Sequence, residues 1–268
     1  MKKLRRFPVA VFTIACLLTL GIGMDPRCVL GNGPASKPAY LTEGSDLARP
    51  GSLSDEFPVL AHKPKPVNEE FEECPAEGDG GDPDLNKLKN RIDEGSYTPV
   101  KFSVVEPRPF PASVGKKHRD KWSHSDTEAI AKFEGTPISI EGFLLMAREE
   151  GPESCNCHGA DEMFHDFHVW LSDKSNPASK KPNPKASEID RSEALVIEVS
   201  PPIKSKHPSW TLAAIKGIVR AQQRVRISGW LLLDQEHPEQ IGKTRGTLWE
   251  IHPIMKIEVK TGTKWKAL

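Results

Sequence analysis

Two runs of alternating apolar and polar residues near the C-terminal end organise the chain. From 224 to 234, Val225, Ile227, Leu231 and Leu233 fall on one face, and Arg224, Arg226, Ser228 and Trp230 on the other. A period of two marks a half-buried strand. Gly229 interrupts this run, as a glycine does at a bulge or a barrel corner. From 247 to 259 the device recurs. Thr247, Trp249, Ile251, Met255, Ile257 and Val259 share one face, with Glu250, His252, Lys256 and Glu258 opposite. Pro253 cannot donate to a ladder, so an edge or an interruption is expected there. The polar stretch 235–246 between the runs suits an exposed loop and makes the pair a β-hairpin.

Three more strands precede the hairpin. In 136–147, Ile138, Ile140, Leu144 and Met146 alternate, and central Gly142 predicts a long strand that bends through two sheets. In 166–171, Phe167, Val169 and Leu171 share a face. The third, 194–200, ends at Pro201 and Pro202. Helical spacing of Leu212, Ile215 and Val219 predicts a helix over 209–223 capped by Ser209. A Ser125–Glu128 capping box starts another over 125–133, with Gly135 as its stop. A short helix over 84–93 carries Leu85, Leu88 and Ile92, and 99–105 alternates weakly. The order strand, strand, strand, helix, strand, strand predicts a mostly-β fold with flanking helices. Its core is a five-stranded OB-like Greek-key barrel over 135–268, with the helix between strands 3 and 4.

The rest of the 268-residue chain reads differently. MKKLRR followed by an apolar run predicts a signal peptide over 1–23, with cleavage after Gly23 and an uncleaved anchor as the alternative. Residues 24–80 are rich in Pro, Gly, Ser and Glu and are expected to form a disordered linker, and 81–134 an extension with short helices. The expected location is extracytoplasmic, periplasmic or secreted. Without Cys16 of the signal, Cys28, Cys74, Cys155 and Cys157 remain in a compartment that permits disulfides, with connectivity open. Net charge is zero but uneven. Acids outnumber bases twelve to five over 53–95, and bases outnumber acids twelve to five over 201–268.

Three residue sets could carry chemistry. Cys155, Cys157, His158 and His165 offer thiolate and imidazole ligands, so zinc or another divalent metal is the alternative to no cofactor. The Cys-x-Cys spacing is tighter than usual, and a disulfide, reduced thiols in a loop or surface histidines are the plainer readings. Second, if the apolar faces turn into the barrel, Asp166, His168 and Trp170, then Glu198, then Glu250 and His252 point out of three neighbouring strands. His168, Glu198, Glu250 and His252 suit general acid–base work or a divalent ion; the plainer reading is a hydrogen-bonded network that fixes register. Third, Trp170, Arg226, Trp230, Lys243 and Arg245 are candidates for ligand binding, on the pattern of aromatic platforms in a basic groove. No Gly-rich phosphate loop, Gly-x-Ser-x-Gly elbow or His-Glu-x-x-His occurs.

With Trp249, Glu250, Ile251, His252 and Pro253 in the last strand and Asn156, Cys157 and His158 before the second, the chain resembles an uncharacterised family of exported bacterial OB-fold-like proteins. The resemblance covers about half the chain and implies fold and compartment, not activity. Function is therefore expected to be that of an exported, non-enzymatic binding module for an oligosaccharide, protein or polyanion. The alternatives are a metal-dependent hydrolase of phosphodiesterase or nuclease type, or a single-stranded nucleic-acid binder.

Overall fold

A computed structural model of the chain describes residues 41–42, 58, 60, 62–106 and 108–268. The expected signal peptide and Cys28 lie outside them. Seven strands form the main sheet: β1 (Thr98–Val100), β2 (Pro137–Glu149), β3 (Phe167–Ser172), β4 (Leu195–Val199), β5 (Arg224–Leu233), β6 (Trp249–Thr261) and β7 (Lys264–Ala267). Five of them close into a barrel in the order β2–β3–β4–β6–β5 and back to β2. Every pairing in the ring is antiparallel except β4 with β6. β1 joins β2 in parallel, and β7 extends β6. This is the expected OB-like barrel with added strands.

Closure depends on strands that serve two neighbours. Residues 137–143 of β2 pair with β5, while 143–149 pair with β3. The strand turns at Gly142, where a Cβ would come 2.4 Å from the Ser172 carbonyl oxygen. Gly229 does the same in β5: the register shifts around it, and a Cβ there would meet the Pro253 carbonyl oxygen at 2.4 Å. Pro253 sits opposite this break inside β6, which explains how a proline is tolerated there. The barrel interior is filled by Ile138, Ile140, Val169, Leu171, Leu195, Ile197, Val225, Ile227, Leu231, Trp249 and Ile251, all buried.

Among the described residues, four helices longer than one turn flank the barrel: α1 (Pro83–Lys89), α2 (His124–Ala131), α3 (Pro201–Lys206) and α4 (Leu212–Ala221). Ser123, not Ser125, caps α2, accepting from the Asp126 amide. Thr211, not Ser209, caps α4; the Ser209 hydroxyl instead donates to the Leu268 carbonyl. Asp82 caps α1, accepting from the amides of Asp84 and Leu85. The weak alternation of 99–105 becomes β1 followed by one helical turn, Phe102–Val105.

The stretch expected to be a linker differs at its C-terminal end, because residues 62–80 carry structure. A bridge joins Asn68 to Arg91. The Lys63 ammonium donates to the Glu134 carbonyl. A disulfide joins Cys74 to Cys157. Arg91 then lays its guanidinium 3.4 Å from the centre of the Trp230 ring. Part of the barrel's outer face, around Trp230, is thus covered by the N-terminal extension. Among the described residues, no helix is long and apolar enough to cross a membrane.

Candidate functional site

Register builds the site. Arg148 of β2 lies across from His168 of β3, and His168 across from Glu198 of β4. In the parallel β4–β6 pair, Val196 aligns with Glu250, so Glu198 and His252 sit two steps further along their strands. These side chains share the outer face because their sequence neighbours Val169, Ile197 and Ile251 turn inward. That face has two halves. The apolar half packs Trp170 and Val196 under Ile189 and Ala194. The polar half is covered by the 150–166 loop, the end of α1 and the 234–246 loop.

Burial in the polar half is nearly complete: Asp166 is 0 % exposed, Glu250 and His252 1 %, Glu198 5 % and His168 6 %. His168 Nδ1 lies 2.8 Å from Glu150 and 3.1 Å from Glu198. His252 Nδ1 is 3.2 Å from Glu198, and its Nε2 is 3.7 Å from Asp166 Oδ2. Arg245 Nη1 approaches Glu250 at 2.7 Å and Asp234 at 3.4 Å. The Asn156 amide donates to Asp166 Oδ1 at 2.8 Å. Lys89 reaches from α1 to within 3.6 Å of both Glu153 and Glu236.

Several of these approaches are not aligned as hydrogen bonds. Asp166 Oδ2, Glu198 Oε2, His168 Nε2 and both ring nitrogens of His252 are buried with no hydrogen-bond partner among the described residues. Buried polar atoms left this way are costly. Asp166, Glu198 and His252 each bring one ligand atom within 4.8 Å of the others. Two carboxylates and an imidazole are a donor set that suits zinc, manganese or iron. A second group, Glu153, Cys155 and Asp166, meets the same distance criterion. It already has the Lys89 ammonium beside Glu153, and burial and the Asp166 charge keep the Cys155 thiol well above its usual range.

The electrostatics follow from burial and pairing. Burial, together with Glu153 and Glu198, pushes Asp166 up to about 8 against the pull of His252 and Lys89. Burial would lift Glu198 too, but His252 and His168 hold it well below the carboxylate range. Burial disfavours charged His168, yet Glu198 and the hydrogen bond to Glu150 raise it to about 9. Burial opposes ionisation of Asp234, but Lys89 and Arg245 bring it down to about 2. A cavity of about 460 Å³ opens over this cluster. Glu150, His168 and Glu198 lie in its wall with Glu153, Asp234 and Lys89. Glu198 and His168 therefore connect the buried donors to a space large enough for a small ligand.

Of the sets expected from the sequence, His168, Glu198, Glu250 and His252 are brought together. Cys155, Cys157, His158 and His165 are not. Cys157 is consumed by the disulfide with Cys74, so it has no thiolate to offer a metal. Cys155 is a buried free thiol facing Glu153. His158 bonds the Asp79 carbonyl, and His165 bonds Glu149 and the Gly159 carbonyl. The expected ligand-binding set is dispersed. Trp170 and Trp230 are buried, 2 % and 1 % exposed, and donate to the carbonyls of Thr244 and Asp93. Arg226 pairs with Glu141 and Glu258. Lys243 is exposed in a turn. Arg245, 1 % exposed, is the counter-ion of Glu250 and Asp234.

Asp166 showed on the right strand face in the sequence. Glu150, Glu153, Asp234 and Lys89 carried no such signal, because they come from loop ends and a remote helix. No family model, curated protein or solved structure matches this chain.

Proposed function

We propose that the barrel's polar face is a divalent-metal centre of a hydrolase, with Asp166, Glu198 and His252 as protein ligands. The observation that carries this reading is the convergence of three buried, hydrogen-bond-poor donors directly behind a cavity wall. A bound divalent ion there supplies Lewis-acid polarisation of the scissile group and an acidified water. The chain's own part is positional. His168, held at Nδ1 by Glu150 and Glu198 with its Nε2 buried, fixes the Glu198 carboxylate in the cavity wall. Arg245 and Asp234 hold Glu250 in place beside His252. The supposed setting is outside the cytoplasm of a bacterium. The Cys74–Cys157 disulfide suits an oxidising compartment, and the 1–23 pattern suits export.

The test is turnover. Protein stripped with EDTA and reloaded with Zn²⁺, Mn²⁺ or Mg²⁺ is expected to cleave bis(p-nitrophenyl) phosphate or a p-nitrophenyl ester. His168→Ala, which frees the Glu198 carboxylate, should lower the rate by about tenfold or more. Absence of turnover with every ion would return the reading to a non-catalytic binding module. The acid-lined cavity also favours that second reading, since carboxylates accept hydrogen bonds from the hydroxyls of an oligosaccharide.

A further inference from the structure

Arg148 borders two cavities. One is the acid-lined space over the candidate metal centre; the other, of about 240 Å³, lies on its far side. The lining of the smaller cavity includes Arg148, Lys181, Lys216 and Arg220 and no acidic residue. Lys216 and Arg220 are four positions apart on α4, so they share one face of that helix. The helix is anchored through buried Ile215, Ile218 and Val219. Lys181 enters from the 172–194 loop, where it pairs with Glu188 at 3.2 Å. Arg148 pairs with Glu150 at 2.7 Å and shares the Trp170 ring with Arg191. Glu150 and Glu188 offset Arg148 and Lys181, while Lys216 and Arg220 have no carboxylate partner among the described residues, so the concavity keeps a net positive charge that favours an anion. The volume suits a single tetrahedral group more than a drug-sized ligand. No aromatic residue lines it, so it offers no platform for stacking a base.

We propose that this cavity is an oxyanion subsite that takes a phosphate or sulfate group of the substrate, with Arg148 joining it to the cavity where hydrolysis occurs. The site's place in a reaction rests on the hydrolase reading; its binding of an anion does not. The experiment is isothermal titration of the full chain with inorganic phosphate and with sulfate, at low ionic strength and with EDTA present. Saturable binding is expected, weakened at least about tenfold by Lys216→Glu/Arg220→Glu and unchanged by Lys260→Glu. Preference for phosphate marks a phosphoryl substrate and preference for sulfate a sulfated one; either result upholds the subsite. No saturable binding of either anion, or equal weakening by Lys260→Glu, overturns it. So does tight binding of a single-stranded oligonucleotide by a chain that ignores free phosphate. A parallel zinc titration separates the two readings. Phosphate binding without zinc binding upholds the subsite and removes the metal hydrolase, and zinc binding without phosphate binding does the reverse.

Discussion

Removing the Cys74–Cys157 bridge tests the claim that the N-terminal extension roofs the site. The bridge closes a loop of 83 residues. Loop-closure entropy for that length is worth about 4.5 kcal/mol in the unfolded chain. Part of the roof is also held without the disulfide. Asp79 donates its amide to the Ser154 carbonyl at 2.8 Å, and the Asn90 amide donates to the Cys155 carbonyl at 2.6 Å. Cys74→Ser/Cys157→Ser should therefore still fold but lose about 3–5 kcal/mol. With a urea slope of roughly 2 kcal/mol/M, the unfolding midpoint falls by about 2 M. The assay is equilibrium urea unfolding of the two proteins followed by circular dichroism. A loss below about 1 kcal/mol with an unchanged slope would mean that the extension is not tied to the barrel as described.

Other perturbations probe separate parts of the account. Trp230→Ala should cost about 3–5 kcal/mol in thermal or urea unfolding, because it empties a buried site under Arg91; a mild effect would contradict the packing. Lys89 and Arg245 depress Asp234 from the ordinary aspartate range to about 2, against the cost of burial. Its contribution, about 2 kcal/mol, is present above the ordinary carboxylate range and is lost as pH falls from roughly 4 to 2. Asp234→Asn should lower stability near neutral pH by about that amount and flatten the acid limb, as read from unfolding midpoints against pH. Gly229→Ala forces a Cβ against the Pro253 carbonyl and should destabilise by about 1–3 kcal/mol. Gly217→Ala meets open space inside α4 and should stabilise by about 0.5–1 kcal/mol; calorimetric shifts of the same sign for both would refute the distinction.

Local pattern announced the barrel because its strands alternate cleanly and its bends need glycine. Val225, Ile227, Leu231 and Leu233 face inward as their spacing implies, and Gly142 and Gly229 mark the turns where no Cβ fits. The outward faces were harder to read. Alternation places Glu198, Glu250 and His252 on the far side of the sheet, but it does not say whether water or protein lies there. The answer comes from long-range partners: Lys89 on α1, Arg91 over Trp230, and the disulfide across 83 residues. None of these has a periodic signature. The same ignorance of what covers the outer face made Trp170, Trp230 and Arg245 look like surface contacts: Ile189 and Ala194 cover the first, Arg91 the second, and Arg245 turns to Asp234 and Glu250. Cap assignments slipped by two residues at Ser123 and Thr211, where neighbouring serines offered the same hydroxyl chemistry.

The metal centre is tested most directly by equilibrium dialysis of EDTA-stripped protein against Zn²⁺ or Mn²⁺, with the bound metal then quantified. The account predicts one ion per chain, lost in Asp166→Asn/His252→Ala and retained in Cys155→Ser. No bound ion, or an ion kept by the double variant and lost with Cys155, would contradict it.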